Sequence, residues 1–132
     1  MANSHSFRIN HDTAAYWQGA SQKELILARC KVCRHWIHPP RACCPECWSE
    51  EITHETPSGK ATLYSYTIQS GGPGRPALIL GWAELDEQKR LMVVGPISAA
   101  TPETVKIGAR LSLEWIEIEN TNIPAFRQEK PE

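Results

Sequence analysis

Hydrophobic and polar positions alternate through much of the second half of the chain. Residues 59–69 are rich in Thr, Tyr and Ile and predict a half-buried strand. Five Gly or Pro residues among the seven of Ser70–Pro76 interrupt this pattern, and a second strand is predicted from Ala77 to Leu85. Residues 86–89 form a hairpin loop into a third strand, from Arg90 to Val94.

The pattern after the third strand indicates a helical turn and two further strands. Thr101 is predicted to cap a helix whose first position is Pro102. Leu111–Ile118 resumes a strand, and a short final strand is predicted around Ile123–Phe126. Three strands, a short helical turn and two more strands is the order of a five-stranded OB-fold barrel.

The N-terminal part of the chain predicts a short helix over residues 10–19. Asp12 is its expected N-terminal cap, and Gly19 is expected to end it in the left-handed conformation. Tyr16 and Trp17 are large apolar side chains on a segment too short to be stable alone. They either cover the body of the same chain or bind a partner subunit.

Four cysteines form two C-x2-C pairs, Cys30 with Cys33 and Cys44 with Cys47. Each pair can curl into a tight turn that points two thiolates at one ion, and two such turns make the tetrahedral sulfur site that zinc prefers. The segment from Cys30 to Cys47 is too short to bury a core of its own. The sequence therefore predicts a zinc ribbon held by one structural Zn²⁺ ion.

Other interpretations of the cysteines stay open. A disulfide framework fits an odd count of five poorly, and no signal peptide precedes it. An iron site of rubredoxin type would use the same four ligands and would be redox-active. Cys43 would make a longer C-x3-C pair with Cys47, so we interpret it as a spare buried thiol; the alternative is that Cys43 and Cys44 exchange as metal ligands.

The composition restricts the classes of partner. Hydrophobic content of 41% and charged content of 22% over 132 residues are typical of a soluble globular protein. The chain has no membrane-span-length apolar stretch and no export signal, so we expect it in the reducing cytoplasm. The formal charge is −1, and neither half has a basic excess. A single-stranded nucleic-acid-binding module is therefore the less favoured alternative, with Tyr64, Tyr66 and Trp82 as its stacking candidates.

The predicted elements divide the chain into four parts. A strand over residues 24–29 leads into the first cysteine pair, and Thr56–Gly59 marks a boundary. We predict a mainly β protein with an N-terminal helix, a rubredoxin-like zinc ribbon and a C-terminal OB-fold barrel. The predicted parts are an N-terminal helical segment at 1–23, a zinc ribbon at 24–55, an OB-fold domain at 56–127 and a tail at 128–132.

Several short motifs occur here in the order found in one known family. They are Tyr16-Trp17, Glu24–Cys30 with Cys33, Pro39–Arg41 before Cys44–Cys47, Gly59–Thr67, Trp82–Asp86, Ile107-Gly108 and Pro124–Phe126. On these motifs the chain resembles, over nearly its whole length, the DUF35 group of small zinc-ribbon plus OB-fold proteins. Cys43 and the loop at residues 70–76 are less typical of that group.

The resemblance implies a helper subunit in a hetero-oligomer with a thiolase-like enzyme that makes or breaks carbon–carbon bonds in acyl-CoA thioesters. The partner would carry the reactive cysteine and histidines, and this chain would supply a scaffold and help shape an acyl-CoA site shared with it. A zinc ion held by four thiolates has no open position for water or substrate. None of the five histidines has an acidic partner at a recognisable spacing. We therefore expect no catalytic residue and no enzyme activity from this chain by itself.

Overall fold

The computed structural model describes residues 13–130, and this part of the chain forms one helix and eight strands. Helix α1 spans Ala14–Ser21. The strands are β1 Leu27–Cys30, β2 Trp36–Ile37, β3 Ile52–Glu55, β4 Lys60–Gln69, β5 Leu78–Leu85, β6 Met92–Ser98, β7 Arg110–Ile118 and β8 Thr121–Gln128. The chain divides into two compact units, Met1–Thr56 with Glu117–Asn122 and Pro57–Ile116 with Ile123–Glu132. No helix in the described part is long and apolar enough to cross a bilayer.

Helix α1 forms as predicted, but its ends differ. The expected cap, Asp12, lies outside the described residues, and Thr13 at the N-cap makes no capping bond with its side chain. Gly19 does not end the helix but is buried in its last turn. A Cβ at this position would lie only 2.7 Å from Cγ1 of Ile26. Lys23, with φ of +60°, takes the left-handed conformation two residues beyond the helix. Gly19 therefore permits a close approach of the chain, a role that is not visible in the sequence.

A three-stranded antiparallel sheet, in the order β2-β1-β3, forms most of the first unit. Strand β1 starts later than the predicted strand at 24–29 and includes Cys30, while β2 and β3 were not predicted. Arg29 lies on β1, and its guanidinium stacks 4.4 Å from the centre of the Trp36 ring and pairs with Glu55 at 3.2 Å. Its Nε donates to the backbone oxygen of Arg34 at 2.7 Å. One side chain thus connects β1 with both neighbouring strands and with the first cysteine turn.

The five remaining strands form a closed barrel in the order β4-β5-β6-β8-β7. Strand β4 pairs antiparallel with β5 and β7, whereas β6 and β8 run parallel, with Ile97 opposite Phe126. This is the strand order of an OB-fold, so the predicted fold class is confirmed. The barrel core contains large apolar side chains that are almost fully buried: Leu63, Leu85, Leu91, Val93, Leu111 and Phe126.

Residues 101–105 form a single turn and not a helix. The amide of Val105 donates to the carbonyl of Thr101 at 2.8 Å, which closes one turn. The capping contact is the reverse of the predicted one, because the Thr104 hydroxyl accepts from the Thr101 amide at 2.8 Å. A second turn at Gly108, with φ of +92°, leads the chain directly into β7. The turn therefore has no room to propagate into a helix.

Candidate metal centre

The two C-x2-C pairs fold into equivalent turns. In the first turn the amide of Arg34 donates to the carbonyl of Cys30 at 3.1 Å, and in the second the amide of Trp48 donates to the carbonyl of Cys44 at 2.9 Å. Arg34 and Trp48 both take the left-handed conformation, with φ of +67° and +66°. This backbone reversal is what lets both sulfurs of each pair face the same point.

The four predicted ligand sulfurs lie within 4.8 Å of one another. The sulfur atoms of Cys30 and Cys47 are 3.6 Å apart, as are those of Cys33 and Cys44. A tetrahedral zinc site with Zn–S bonds of about 2.3 Å has sulfur–sulfur edges of about 3.8 Å, so the donor set fits such an ion. All five cysteines are free thiols in the structure, and the half-buried Cys43 is not a member of the cluster.

Backbone amides support the negative charge that a metal-binding sulfur carries. The amides of Cys33 and Val32 point at the sulfur of Cys30 at 3.4 and 3.3 Å, and they lower the pKa of that thiol to about 6. The amide of Glu46 lies 3.4 Å from the sulfur of Cys44 in the equivalent position of the second turn. The sulfurs of Cys30 and Cys44 therefore both accept hydrogen bonds from backbone amides of their own turns.

The other two thiols resist ionisation in the absence of a cation. The His35 amide lowers the pKa of Cys33, but desolvation and the nearby sulfurs of Cys44, Cys47 and Cys30 outweigh it and raise the pKa to about 12. The Ser49 amide and the sulfur of Cys33 lower the pKa of Cys47, but desolvation and the sulfurs of Cys30 and Cys44 outweigh them and raise it. Four sulfurs this close together need a positive ion at their centre before all of them can be thiolates.

Tyr16 and Trp17, the candidate partner-binding residues, lie together on α1 and are half-buried. The Tyr16 ring stacks on His38 with centroids 5.7 Å apart and meets Trp17 edge-on at 5.0 Å. Burial raises the pKa of Tyr16 to about 12 and lowers the pKa of His38, whose Nδ1 is buried without a hydrogen-bond partner. The described contacts of Tyr16 are thus within its own chain, and a partner-binding role for the pair stays a prediction.

Trp48 is the feature of the metal centre that sequence reasoning missed. It follows Cys47 directly, its side chain is 74% exposed, and its φ of +66° is unfavourable for a large side chain. A glycine after the second cysteine of a pair would have predicted a left-handed residue there, but neither turn contains a glycine. The conformation is therefore imposed by the need to aim the sulfurs.

Replacing Trp48 by glycine is expected to stabilise the metal-bound ribbon by about 1 kcal/mol, because glycine tolerates positive φ and the exposed indole contributes little packing. Urea unfolding of the zinc-loaded chain, followed by far-ultraviolet circular dichroism, would measure the change. Trp48→Ala is the matched control, since it removes the ring but keeps the strained Cβ. Equal gains in the two variants would contradict a backbone origin.

Two domain families match the chain in succession. The ChsH2 rubredoxin-like zinc ribbon domain matches residues 17–53, and the ChsH2 C-terminal OB-fold domain matches residues 54–115. Among solved structures, the chain resembles one from a protein described as "Ltp2-ChsH2(DUF35) aldolase". The TM-score is 0.81 at 29% identity, and the match covers 91% of this chain and 96% of that one.

Curated relatives carry the same region within longer chains. A probable enoyl-CoA hydratase alpha subunit from Thermomonospora curvata is 32% identical over 94% of this chain. The 3-oxo-4,17-pregnadiene-20-carboxyl-CoA hydratase alpha subunit of Mycobacterium tuberculosis is 26% identical over 92%. The chain spans only 40% and 39% of these two relatives. From its two successive domain matches and its fold, the chain belongs to the ChsH2-type (DUF35) family, in which a rubredoxin-like zinc ribbon precedes an OB-fold domain.

Proposed function

We propose that this chain is a zinc-binding accessory subunit that associates with a thiolase-like enzyme acting on acyl-CoA thioesters. The observation that carries the proposal is the likeness to a chain of the Ltp2-ChsH2(DUF35) aldolase, because it extends over nearly the full length of both chains. The name of that protein gives two components, Ltp2 and ChsH2(DUF35), and only the second is of the ribbon–barrel type. Both curated relatives are also described as subunits of enzymes that act on CoA thioesters.

In this proposal the zinc ion has a structural role. Cys30, Cys33, Cys44 and Cys47 would supply all four ligands and leave no open position for a substrate or a water molecule. The ion would hold the two cysteine turns against the small core of Ala28, Cys30, Ile37 and Cys44. This chain would then act by presenting a rigid surface to the enzyme subunit, which would supply the groups that react with the acyl-CoA.

The names of the curated relatives favour a second candidate partner, an acyl-CoA hydratase. Those relatives are more than twice as long as this chain, so their hydratase activity belongs to whole proteins of which the match covers only part. The solved structure is of matching length and is an aldolase, which is a carbon–carbon bond-cleaving enzyme. For that reason we place the thiolase-like partner first.

Co-expression with thiolase-like and hydratase-like subunits encoded near the gene for this chain tests the proposal. We expect a stable complex with the thiolase-like subunit on size-exclusion chromatography, and acyl-CoA turnover by the complex that neither chain shows alone. A complex with the hydratase-like subunit alone would establish the second candidate. Independent migration of this chain with a fully active thiolase-like enzyme would count against both.

A further inference from the structure

The outward positions of strands β5 and β6 are apolar except for Glu84 and Ser98, which lie at opposite ends of the pair. Along β5 the buried positions alternate with partly or fully exposed ones, and β6 shows the same alternation. In the register of the pair, Leu80 lies opposite Pro96 and Trp82 opposite Val94. We define the β5–β6 face as the outward-facing side chains Leu78, Leu80, Trp82, Met92, Val94 and Pro96.

These side chains are not part of the barrel core. On the same strands, the inward side chains of Ile79, Ala83 and Val93 are at most 4% exposed. By contrast, Leu78 and Val94 are each 44% exposed, and the other four members of the face are half-buried. The barrel is closed, so β5 and β6 are not edge strands whose apolar character would serve strand pairing.

None of the six side chains of the face is charged, and the one charged outward residue of β5 and β6 is Glu84, at the end of β5 opposite Met92. Arg75, in the loop before β5, is the only charged residue between Ala61 and Ala83, and there is none between Leu91 and Pro102. On the neighbouring strand β4, the residues opposite Leu80 and Trp82 are the neutral Thr67 and Ser65. Solvent-facing sheet surfaces are normally polar, and contiguous apolar surface depleted of charge is typical of the centre of a protein–protein interface.

We propose that the β5–β6 face is the surface by which the barrel docks onto an apolar, uncharged patch of the enzyme subunit. This inference rests on the proposed function for the identity of the occupant. A hetero-oligomeric partner is favoured because the similar solved chain comes from an assembly described by two components. Trp82 lies between Ser65 and Val94 in the cross-strand register, at the centre of the face, and is its expected anchor.

The chemistry of the face argues against nucleic acid. Strands 2 and 3 of an OB-fold commonly bind oligonucleotides, and β5 and β6 occupy those positions in this barrel. Binding to a phosphate backbone requires Lys or Arg side chains along the groove, and the face has none. In this barrel, the same position of the fold is therefore suited to bind an apolar protein surface.

Val94→Lys tests the inference in the full chain, with the co-expressed thiolase-like subunit as the probe. The new charge projects from an exposed position, so the barrel should fold and the complex should weaken at least tenfold, as measured by titration calorimetry. Ile107→Lys is the matched control, because Ile107 is 61% exposed in a turn outside the face, and it should bind like the wild type. Leu78→Asn provides a second, milder variant if Val94→Lys does not fold.

Each outcome has a distinct meaning. A wild-type complex that Val94→Lys and Leu78→Asn leave unchanged would overturn this inference while the proposed function stands. A wild-type chain that binds no thiolase-like subunit would overturn both. Self-association of the wild-type chain that Val94→Lys abolishes would show that the occupant is a second copy. Binding of single-stranded DNA at physiological salt through this face would overturn the assignment to a protein partner.

Discussion

Replacing Cys44 with serine is expected to abolish zinc binding and unfold the ribbon. Cys44 is fully buried, lies in the small core with Ala28 and Ile37, and belongs to the four-sulfur cluster. Binding of structural zinc contributes about 10–16 kcal/mol to the folding of small domains, which exceeds what this core can supply alone. Elemental analysis of the purified chain, together with nuclear magnetic resonance of its amides, would detect loss of both metal and structure.

Cys43→Ser is the control, because Cys43 adjoins Cys44 but lies outside the cluster. We expect this variant to retain one zinc ion per chain and the wild-type amide spectrum. Loss of zinc from Cys43→Ser together with its retention by Cys44→Ser would reverse the ligand assignment. Visible thiolate-to-iron absorption in the wild-type chain would identify the bound metal as iron and not zinc. An amide spectrum unchanged by complete chelation would show that the metal has no structural role.

The clustering of the four cysteines could be predicted from the sequence because it depends on local turns. A C-x2-C pair can make only a narrow range of turns if both sulfurs are to reach one ion, and the spacing alone predicts that arrangement. The order of the barrel strands was accessible for a similar reason, since Gly and Pro clusters such as residues 70–76 separate alternating segments. Both signals are carried by residues close together in the chain.

The features that were missed depend on contacts between distant parts of the chain. Strands β2 and β3 are short and pair with β1, so their own residues show no alternation long enough to predict a strand. Gly19 matched the signature of a helix end, whereas its real role is set by the close approach of Ile26. The left-handed conformation of Trp48 is dictated by the metal turn and contradicts the preference of the residue itself. Tertiary demands outweigh local preference at each of these positions.

A pair of facing glycines inside the barrel also depends on contacts between distant parts of the chain. Gly81 on β5 lies opposite Gly95 on β6, and both positions are buried and point inward. A Cβ on Gly95 would lie 2.5 Å from the carbonyl oxygen of Pro124, which is backbone on the neighbouring strand β8. A Cβ on Gly81 would instead meet side-chain atoms of Ile97 and Leu63, at 2.6 to 2.9 Å. The absence of a side chain at Gly95 lets β8 pass close to β6, and its absence at Gly81 leaves room for the side chains of Ile97 and Leu63.

Gly95→Ala is therefore expected to destabilise the barrel by about 3 kcal/mol, since backbone cannot move aside without breaking the parallel pairing of β6 with β8. Gly81→Ala should cost less, about 1–2 kcal/mol, because the Ile97 and Leu63 side chains can shift. Guanidinium unfolding of the zinc-loaded chain, compared at equal protein concentration, would give both values. Val94→Ala, an outward change on the same strand, should cost under about 0.5 kcal/mol. If Gly95→Ala proved as stable as Val94→Ala, the close approach of β8 to β6 would be wrong.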